Sequence, residues 1–403
     1  MRDGRGASSR WSVLALALAV QTAISMVGAS LAVLLPFVRS EFHLTFAEAG
    51  LVVNFSFVGG FATIAMAGLA VDTLGDRFVL VVGGILTGVA GWLVAIAPNL
   101  WVLLAVLFVM GVGVATVTPA GSVAVRRAFP LRLRGMVMSI RQTGIPFGYF
   151  FAALALPTIA LGHGWRAAVA VAGIVSVIVA LGVRLLYRVG PRAVRAESES
   201  RGFRGVFNRD SAIASGAGVL LVAAQMSLLT YLVSYLQRDQ GLSITTAAAV
   251  LAVAQLSGAG GRILWGVVSD RLLGGSRRTA LLFSAGTGAA GGIVLALLPH
   301  GSPLALLVAA ILVAAAGAVG WNGVQISFLS ELARPGTEGR NVGIGLMIQQ
   351  PGILGGPFLF GLVADVTGSF RLSWILLAGF LGTAMLILSA VQEPVTTAED
   401  EPG

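Results

Sequence analysis

The sequence predicts an all-α integral membrane protein, with twelve transmembrane helices arranged as two pseudo-symmetric six-helix bundles. Three observations carry this prediction. Of the 403 residues, 57% are apolar and only 11% are charged, where a soluble protein of this length carries about 25% charged residues. Twelve apolar runs each come close to the ~20 residues that cross a bilayer as a helix. The second half of the chain also repeats features of the first.

Composition narrows the chemistry. There is no cysteine, which removes disulfides, thiolate metal sites and thiol nucleophiles. All 26 basic residues are arginine, so no lysine can form a Schiff base and every cation stays charged at working pH. A Walker phosphate loop needs lysine, so an ATP-driven pump is excluded, and no cofactor or metal is expected. The formal charge of +9 raises nucleic acid as a partner, but the placement of the arginines argues against it.

The first apolar stretch, Trp11 to Pro36, follows Arg2, Arg5 and Arg10. A signal peptide has a shorter apolar core and a small-residue cleavage site. This stretch is longer and leads straight into further apolar runs, so it reads as the first span. Spans are predicted near 12–36, 49–71, 78–97, 99–123, 134–160 and 165–187, then 211–236, 244–267, 279–298, 302–329, 340–364 and 370–391. The organisation that follows is a short N-terminus (1–11), a six-helix bundle (12–187), a basic linker (188–210), a second bundle (211–391) and an acidic tail (392–403).

Sorting the arginines by connection tests the count. Twenty fall on one side, namely Arg2, Arg5, Arg10, Arg77, Arg126, Arg127, Arg132, Arg134, Arg184, Arg188, Arg192, Arg195, Arg201, Arg204, Arg209, Arg271, Arg277, Arg278, Arg334 and Arg340. Four fall on the other: Arg39, Arg166, Arg238 and Arg371. An odd number of spans would scramble that bias. The positive-inside rule then places both termini in the cytoplasm of a multi-pass plasma-membrane protein. The linker arginines read as a solvated stretch touching anionic lipid headgroups.

The half-repeat is explicit. Gly68, Asp72, Gly75 and Arg77 follow the second span, and Gly266, Asp270, Arg271, Arg277 and Arg278 follow the eighth. The fifth span reads RQTGIPFG from Arg141, with glycines at 144 and 148. The eleventh reads QQPGILGG from Gln349, with glycines at 352 and 356. Arg166 before the sixth span matches Arg371 before the twelfth. Two six-helix halves joined by a basic linker is the parallel-repeat plan of a secondary transporter.

On these residues the chain resembles the major facilitator superfamily over nearly its whole length. Gly68, Asp72, Gly75 and Arg77 match that superfamily's loop signature. Thr73 stands where a basic residue is usual, and Phe78 where another often follows; the second copy is fuller. The RQTG-x-P-x-G run is similar to the cyanate and nitroimidazole permease group. The arginine in GGRILWGVVSDR resembles that of oxalate and monocarboxylate carriers. The resemblance implies a fold in which both bundles rock around one solute site. Asp72 and Asp270 would then hold the cytoplasmic ends together against arginines and helix termini. The plainer reading makes them ordinary interfacial charges.

The spans carry no acidic residue at their centres, and His43, His163 and His300 fall in external connections. Membrane proton relays are built from buried Asp, Glu or His, so a relay through the protein is not expected. The embedded charges are Arg141 and Arg262. Each lies seven or eight residues from a cytoplasmic marker (Arg134 and Asp270), and at ~1.5 Å per residue they share a depth. The resemblance implies that both face one cavity.

An unpaired arginine at the bilayer centre costs at least ~2.5–3.5 kcal/mol, and an anion bound there would relieve it. The alternative is that the arginines snorkel to the cytoplasmic edge and pack. Gln21, Asn54, Gln142, Gln225, Tyr231, Gln255, Asn322, Gln325, Gln349 and Gln350 add neutral polar groups in the spans, as cavity lining or as glue between helices. Trp321 reads as an aromatic wall or as packing.

Pro119, Pro146, Pro157, Pro351 and Pro357 fall in spans and are expected to kink them. The leading expectation is a monomeric carrier of a small organic or inorganic anion, working by alternating access. Export of a larger apolar compound is the alternative. A membrane enzyme lacks its catalytic set here, and a sensor would be separated from a carrier by measuring flux.

Overall fold

The computed structural model describes residues 4–129, 131–187, 208–334 and 337–393. Most of the predicted linker and nearly all of the acidic tail therefore lie outside the described residues. The side chain of Asp72 and the surroundings of Gly68 lie outside them too.

Among the described residues, twelve helical stretches are long and apolar enough to cross a membrane, in the order the sequence predicts: 10–33, 46–63, 76–95, 100–125, 140–163, 165–186, 209–238, 244–272, 277–297, 304–331, 340–367 and 371–389. By backbone contacts the chain forms two compact units. One comprises Met1–Ser198 and Thr230–Leu256, the other Glu199–Leu229 and Ser257–Gly403.

In the first unit α1 (Gly4–Val33) ends at Leu34, and α2 (Leu35–Glu41) restarts with Pro36 in its first turn. Proline fits there because the first-turn N–H groups have no helical partner. Then come α3 (Phe46–Asn54), α4 (Ser56–Leu74), α5 (Asp76–Ala95), α6 (Leu100–Ala128), α7 (Leu131–Gln142), α8 (Gly144–His163) and α9 (Trp165–Leu186). A capping box starts α3: the Glu48 amide donates to the Thr45 hydroxyl at 3.2 Å, and the Thr45 amide donates to the Glu48 carboxylate at 2.8 Å.

Helix α5 packs between α6 and α9, and α1 packs against α8. Between α5 and α9 glycine meets glycine. A Cβ on Gly88 would stand 2.5 Å from the Gly173 carbonyl oxygen, and one on Gly173 the same distance from that of Gly88. With no hydrophobic force between helices in lipid, such close backbone contact is what joins them.

The second unit takes in part of α10 (Arg209–Arg238) and of α11 (Ile244–Val267), which runs on as one π turn, Val268–Leu272. It continues with α12 (Arg277–Leu297), α13 (Leu304–Ala318), α14 (Asn322–Glu331), α15 (Glu338–Thr367) and α16 (Arg371–Ser389). Helix α12 packs on α13 and α16. After α16 the chain returns to the start of α12. There Glu393 accepts from the Ser276 hydroxyl at 2.6 Å and from the Arg278 amide at 3.0 Å, a carboxylate at a helix N-terminus.

One of the five in-span prolines coincides with a break. Pro146 has no N–H for the Gln142 carbonyl, and α7 gives way to α8 at Thr143. Pro119, Pro157, Pro351 and Pro357 lie inside helices that continue through them. The breaks at Leu34, Phe55 and Val319–Trp321 were not predicted; Pro36 marks the first, and no proline marks the other two.

Candidate functional site

Arg141 occupies the last turn of α7, ten residues after the helix opens at Leu131, and is 1% exposed. It donates to three neutral oxygens: Gln21 at 3.2 Å, Ser122 at 3.1 Å and Gln142 at 3.2 Å. Its Nε has no acceptor. Among the described residues no carboxylate is paired with it. Room for the guanidinium comes from Gly121 on α6, where a Cβ would stand 3.1 Å from Nη1. The break at Thr143 places Arg141 and Gln142 at a helix end, where the Thr143 amide caps the Ile140 carbonyl at 3.1 Å and free carbonyls carry partial negative charge.

Arg262 sits on α11, partly buried, with its Nε 3.5 Å from the Val319 carbonyl oxygen. Val319 is the first residue past α13, so its carbonyl is free of the helical ladder. Asn322 donates to that same oxygen at 3.2 Å and to Gln225 at 2.8 Å. Trp321 is 2% exposed and donates to the Ala318 carbonyl at 3.0 Å. Arg262 also has no ion pair among the described residues.

The structure thus gathers Gln21, Arg141 and Gln142 in the first unit, and Gln225, Arg262 and Asn322 in the second. Other sequence candidates stand apart. Asn54 donates to the Gly50 carbonyl at 2.9 Å and to Thr230 at 3.1 Å. Tyr231, fully buried, donates to the Phe46 carbonyl. Gln350 bonds back to Leu346 in its own helix at 3.2 Å, and Gln325 donates to the Ala214 carbonyl at 2.9 Å.

Gln349 and Gln255 are buried with amide nitrogens that have no acceptor. Buried polar groups are nearly always bonded, so these two donors are exceptions. Gly218 leaves the space that the Gln349 amide fills.

At the arginine-rich end the two signature copies differ. In the second, Arg277 pairs with Asp270 on the π turn and with Glu331 at 2.9 Å, and donates to Ser269 at 3.0 Å. Arg271 is exposed, Arg278 donates to the Val391 carbonyl at 3.0 Å, and Gly266 has open space around it. In the first copy Gly75 turns the chain with φ 91°, a conformation that favours glycine. Arg77 donates to the Arg184 carbonyl.

The residue that sequence reasoning missed is Asp76. It is 1% exposed, pairs with Arg127 at 2.7 Å and accepts from the Tyr187 hydroxyl. The signal was an acid in the first turn of a helix, one residue past the signature glycine.

Comparison with known proteins gives this arrangement its context. The family model described as Major Facilitator Superfamily matches residues 16–357, and again 217–402. An uncharacterised MFS-type transporter of Mycobacterium tuberculosis is 28% identical over 382 residues, covering 94% of this chain and 84% of that one. A probable sulfoacetate transporter of Cupriavidus necator is 27% identical, covering 89% and 88%. Rat monocarboxylate transporter 13 is 29% identical, covering 79% and 75%. An MFS-type efflux pump of Mycolicibacterium smegmatis is 27% identical, covering 89% and 84%. Among solved structures, a bacterial homologue of the human lysosomal transporter Spinster, inward-facing and occupied, superposes with a TM-score of 0.81. It is 18% identical and covers 95% of this chain and 96% of its own.

Proposed function

Because the chain belongs to the Major Facilitator Superfamily and is a transporter of a small solute, we propose that its solute is a small anion, organic or inorganic, carried by alternating access. The observation that carries this is Arg141, a buried guanidinium with neutral partners only. Its planar fork fits carboxylate or another planar oxyanion. Arg262 is the second anion-binding group in this reading. Gln21, Gln142, Gln225, Asn322 and Gln349 orient the arginines or the neutral part of the solute, with Gln350, Asn54 and Tyr231 in supporting positions.

The relatives named for sulfoacetate and monocarboxylates support an acidic solute. The arginine in the eighth span supports a carboxylate, and the RQTG run a cyanate-like ion. The efflux-pump relative favours the alternative, export of a drug-like compound. The remaining parts of the proposal follow the sequence reading. The carrier is monomeric in the plasma membrane, both termini are cytoplasmic, the bundles divide at 188–210, and the signature charges latch the cytoplasmic side.

The deciding experiment uses purified protein in liposomes with radiolabelled sulfoacetate, lactate and cyanate. Arg262→Gln and Arg141→Gln are each expected to lower uptake of the transported anion at least ~10-fold, the effect of ~1.4 kcal/mol. Uptake unchanged by both substitutions would end the anion reading. A drug-resistance gain on expression, without anion uptake, would favour export.

A further inference from the structure

The end of α12 and the start of α16 frame an open groove of about 280 Å³, lined by Ala296, Leu297, Arg371, Leu372 and Ile375. Its walls are apolar, and Leu297, Leu372 and Ile375 are all exposed. At the end of a membrane span such side chains meet lipid, at the depth where acyl chains join headgroups. Arg371 stands at the rim as the first residue of α16 and is exposed too.

The first unit shows the same place filled by the protein itself. Arg166 is the repeat counterpart of Arg371, and Trp165 that of Phe370. The Arg166 guanidinium pairs with Glu41 at 2.6 Å and donates to the Ala95 carbonyl at the end of α5 at 3.0 Å. It also lies 4.9 Å from the centroid of the Trp165 ring. In the second unit Phe370 turns into the core instead, fully buried, with its ring 6.0 Å from that of Phe360. The four arginines of the arginine-poor side divide accordingly. Arg39 and Arg238 lie over Phe46, Arg166 pairs with Glu41, and Arg371 lines the groove.

We propose that this groove binds an anionic phospholipid from the leaflet on the arginine-poor side. The phosphodiester sits on Arg371, and the start of an acyl chain runs along Leu297, Leu372 and Ile375. Guanidinium takes phosphate through paired, charge-assisted hydrogen bonds. A cation at the membrane surface also favours lipid of net negative charge over a zwitterionic one. A soluble phosphate would satisfy the arginine but leave the apolar walls uncovered, whereas a lipid covers both. The bound lipid bridges α12 and α16, two helices that pack on each other. This proposal does not depend on which solute is carried.

Because the chain has no cysteine, a single one can be placed beside the groove. Ile293 is exposed on α12, one turn before Leu297, and Ile293→Cys can carry a fluorophore. The labelled protein is placed in liposomes that contain spin-labelled phosphatidylglycerol or spin-labelled phosphatidylcholine. Half-quenching is expected at an about 5-fold lower fraction of phosphatidylglycerol, the effect of one basic residue at an anionic surface. Arg371→Gln should remove that difference, and Arg371→Lys should keep most of it. Equal quenching by the two lipids with Arg371 in place, or a preference that survives Arg371→Gln, would overturn the proposal.

Thermal denaturation in detergent gives a second readout, since a ligand of the folded form raises its apparent stability. Phosphatidylglycerol should raise the melting temperature of the native chain more than that of Arg371→Gln, while glycerol 3-phosphate should act on both alike. Equal shifts by phosphatidylglycerol in the two forms would overturn the site. A shift by glycerol 3-phosphate that needs Arg371 would assign the groove to a soluble anion and overturn the lipid.

Discussion

The hydroxyl of Tyr231 donates to the backbone carbonyl of Phe46, and the two rings meet edge to face with centroids 6.2 Å apart. Phe46 is also covered by cations. The Arg39 guanidinium lies 3.8 Å from its ring centroid and that of Arg238 lies 5.0 Å away. Both arginines belong to the sparse, arginine-poor side of the topology. Two turns into α3, Asn54 reaches Thr230 at 3.1 Å, so α3 is fastened to the same stretch of α10 at two points.

Loosening that fastening should be measurable. Tyr231→Phe removes one buried hydrogen bond, worth ~1 kcal/mol. Phe46→Leu keeps apolar bulk but removes two cation–π contacts of ~0.5–2 kcal/mol each. Both should lower the melting temperature in detergent, and Phe46→Leu more. A melting temperature unaffected by Phe46→Leu would mean that the stacked arginines contribute nothing.

Gly121 sets the position of Arg141. A methyl at this position would press on the guanidinium at 3.1 Å, and the flexible end of the side chain can yield by a few tenths of an ångström. Gly121→Ala should therefore be mild. Gly121→Val should displace the guanidinium and raise KM for the transported anion ~10-fold, equal to ~1.4 kcal/mol, with little change in melting temperature. Transport assays on the two variants check this.

The buried carboxylate of Asp76 should matter for folding. Breaking a buried ion pair costs ~3–5 kcal/mol, and here the low end applies because Arg127 is one-third exposed. Asp76→Asn should be clearly destabilised, while Tyr187→Phe should lose only ~1 kcal/mol. Chemical denaturation in mixed micelles measures both.

Glu41 supplies a pH signature. Partial burial raises its pKa, but hydrogen bonds from Arg166 at 2.6 Å and from Trp165 outweigh that, and the carboxyl sits below the ordinary range. A depressed carboxyl stabilises the fold above its unfolded pKa of ~4.3. That stability is lost as pH falls through the folded value. Between pH 7 and 5 the wild type and Glu41→Gln should show parallel melting curves. Below about pH 4.3 the wild type should lose stability more steeply.

The spans were legible because apolar runs of that length have few alternatives. The start of α3 was legible to within a few residues, since the span expected from 49 begins at Phe46. Arg141 and Arg262 were legible as charges in apolar runs, but their partners were not. Ser122 and Val319 lie 19 and 57 residues away in sequence, and only packing brings them close. The break after α13 has the same origin. Gly320 fits because a Cβ there would stand 2.8 Å from Gly261 and from Trp265 on α11, a constraint that resides in the neighbouring helix. Asp76 was visible as a residue and invisible as a pair, because Arg127 and Tyr187 approach it from two other helices.

Both deep guanidiniums rest where a helix is interrupted, Arg141 beside Thr143 and Arg262 beside Val319. Helical continuity normally strengthens a membrane protein, yet at these two places it would do harm. Replacing Pro146 with alanine would give the Gln142 carbonyl an amide to bond and straighten the rod, which would silence the local dipole that steadies the charge. The healed helix would be the sturdier polypeptide and the poorer carrier.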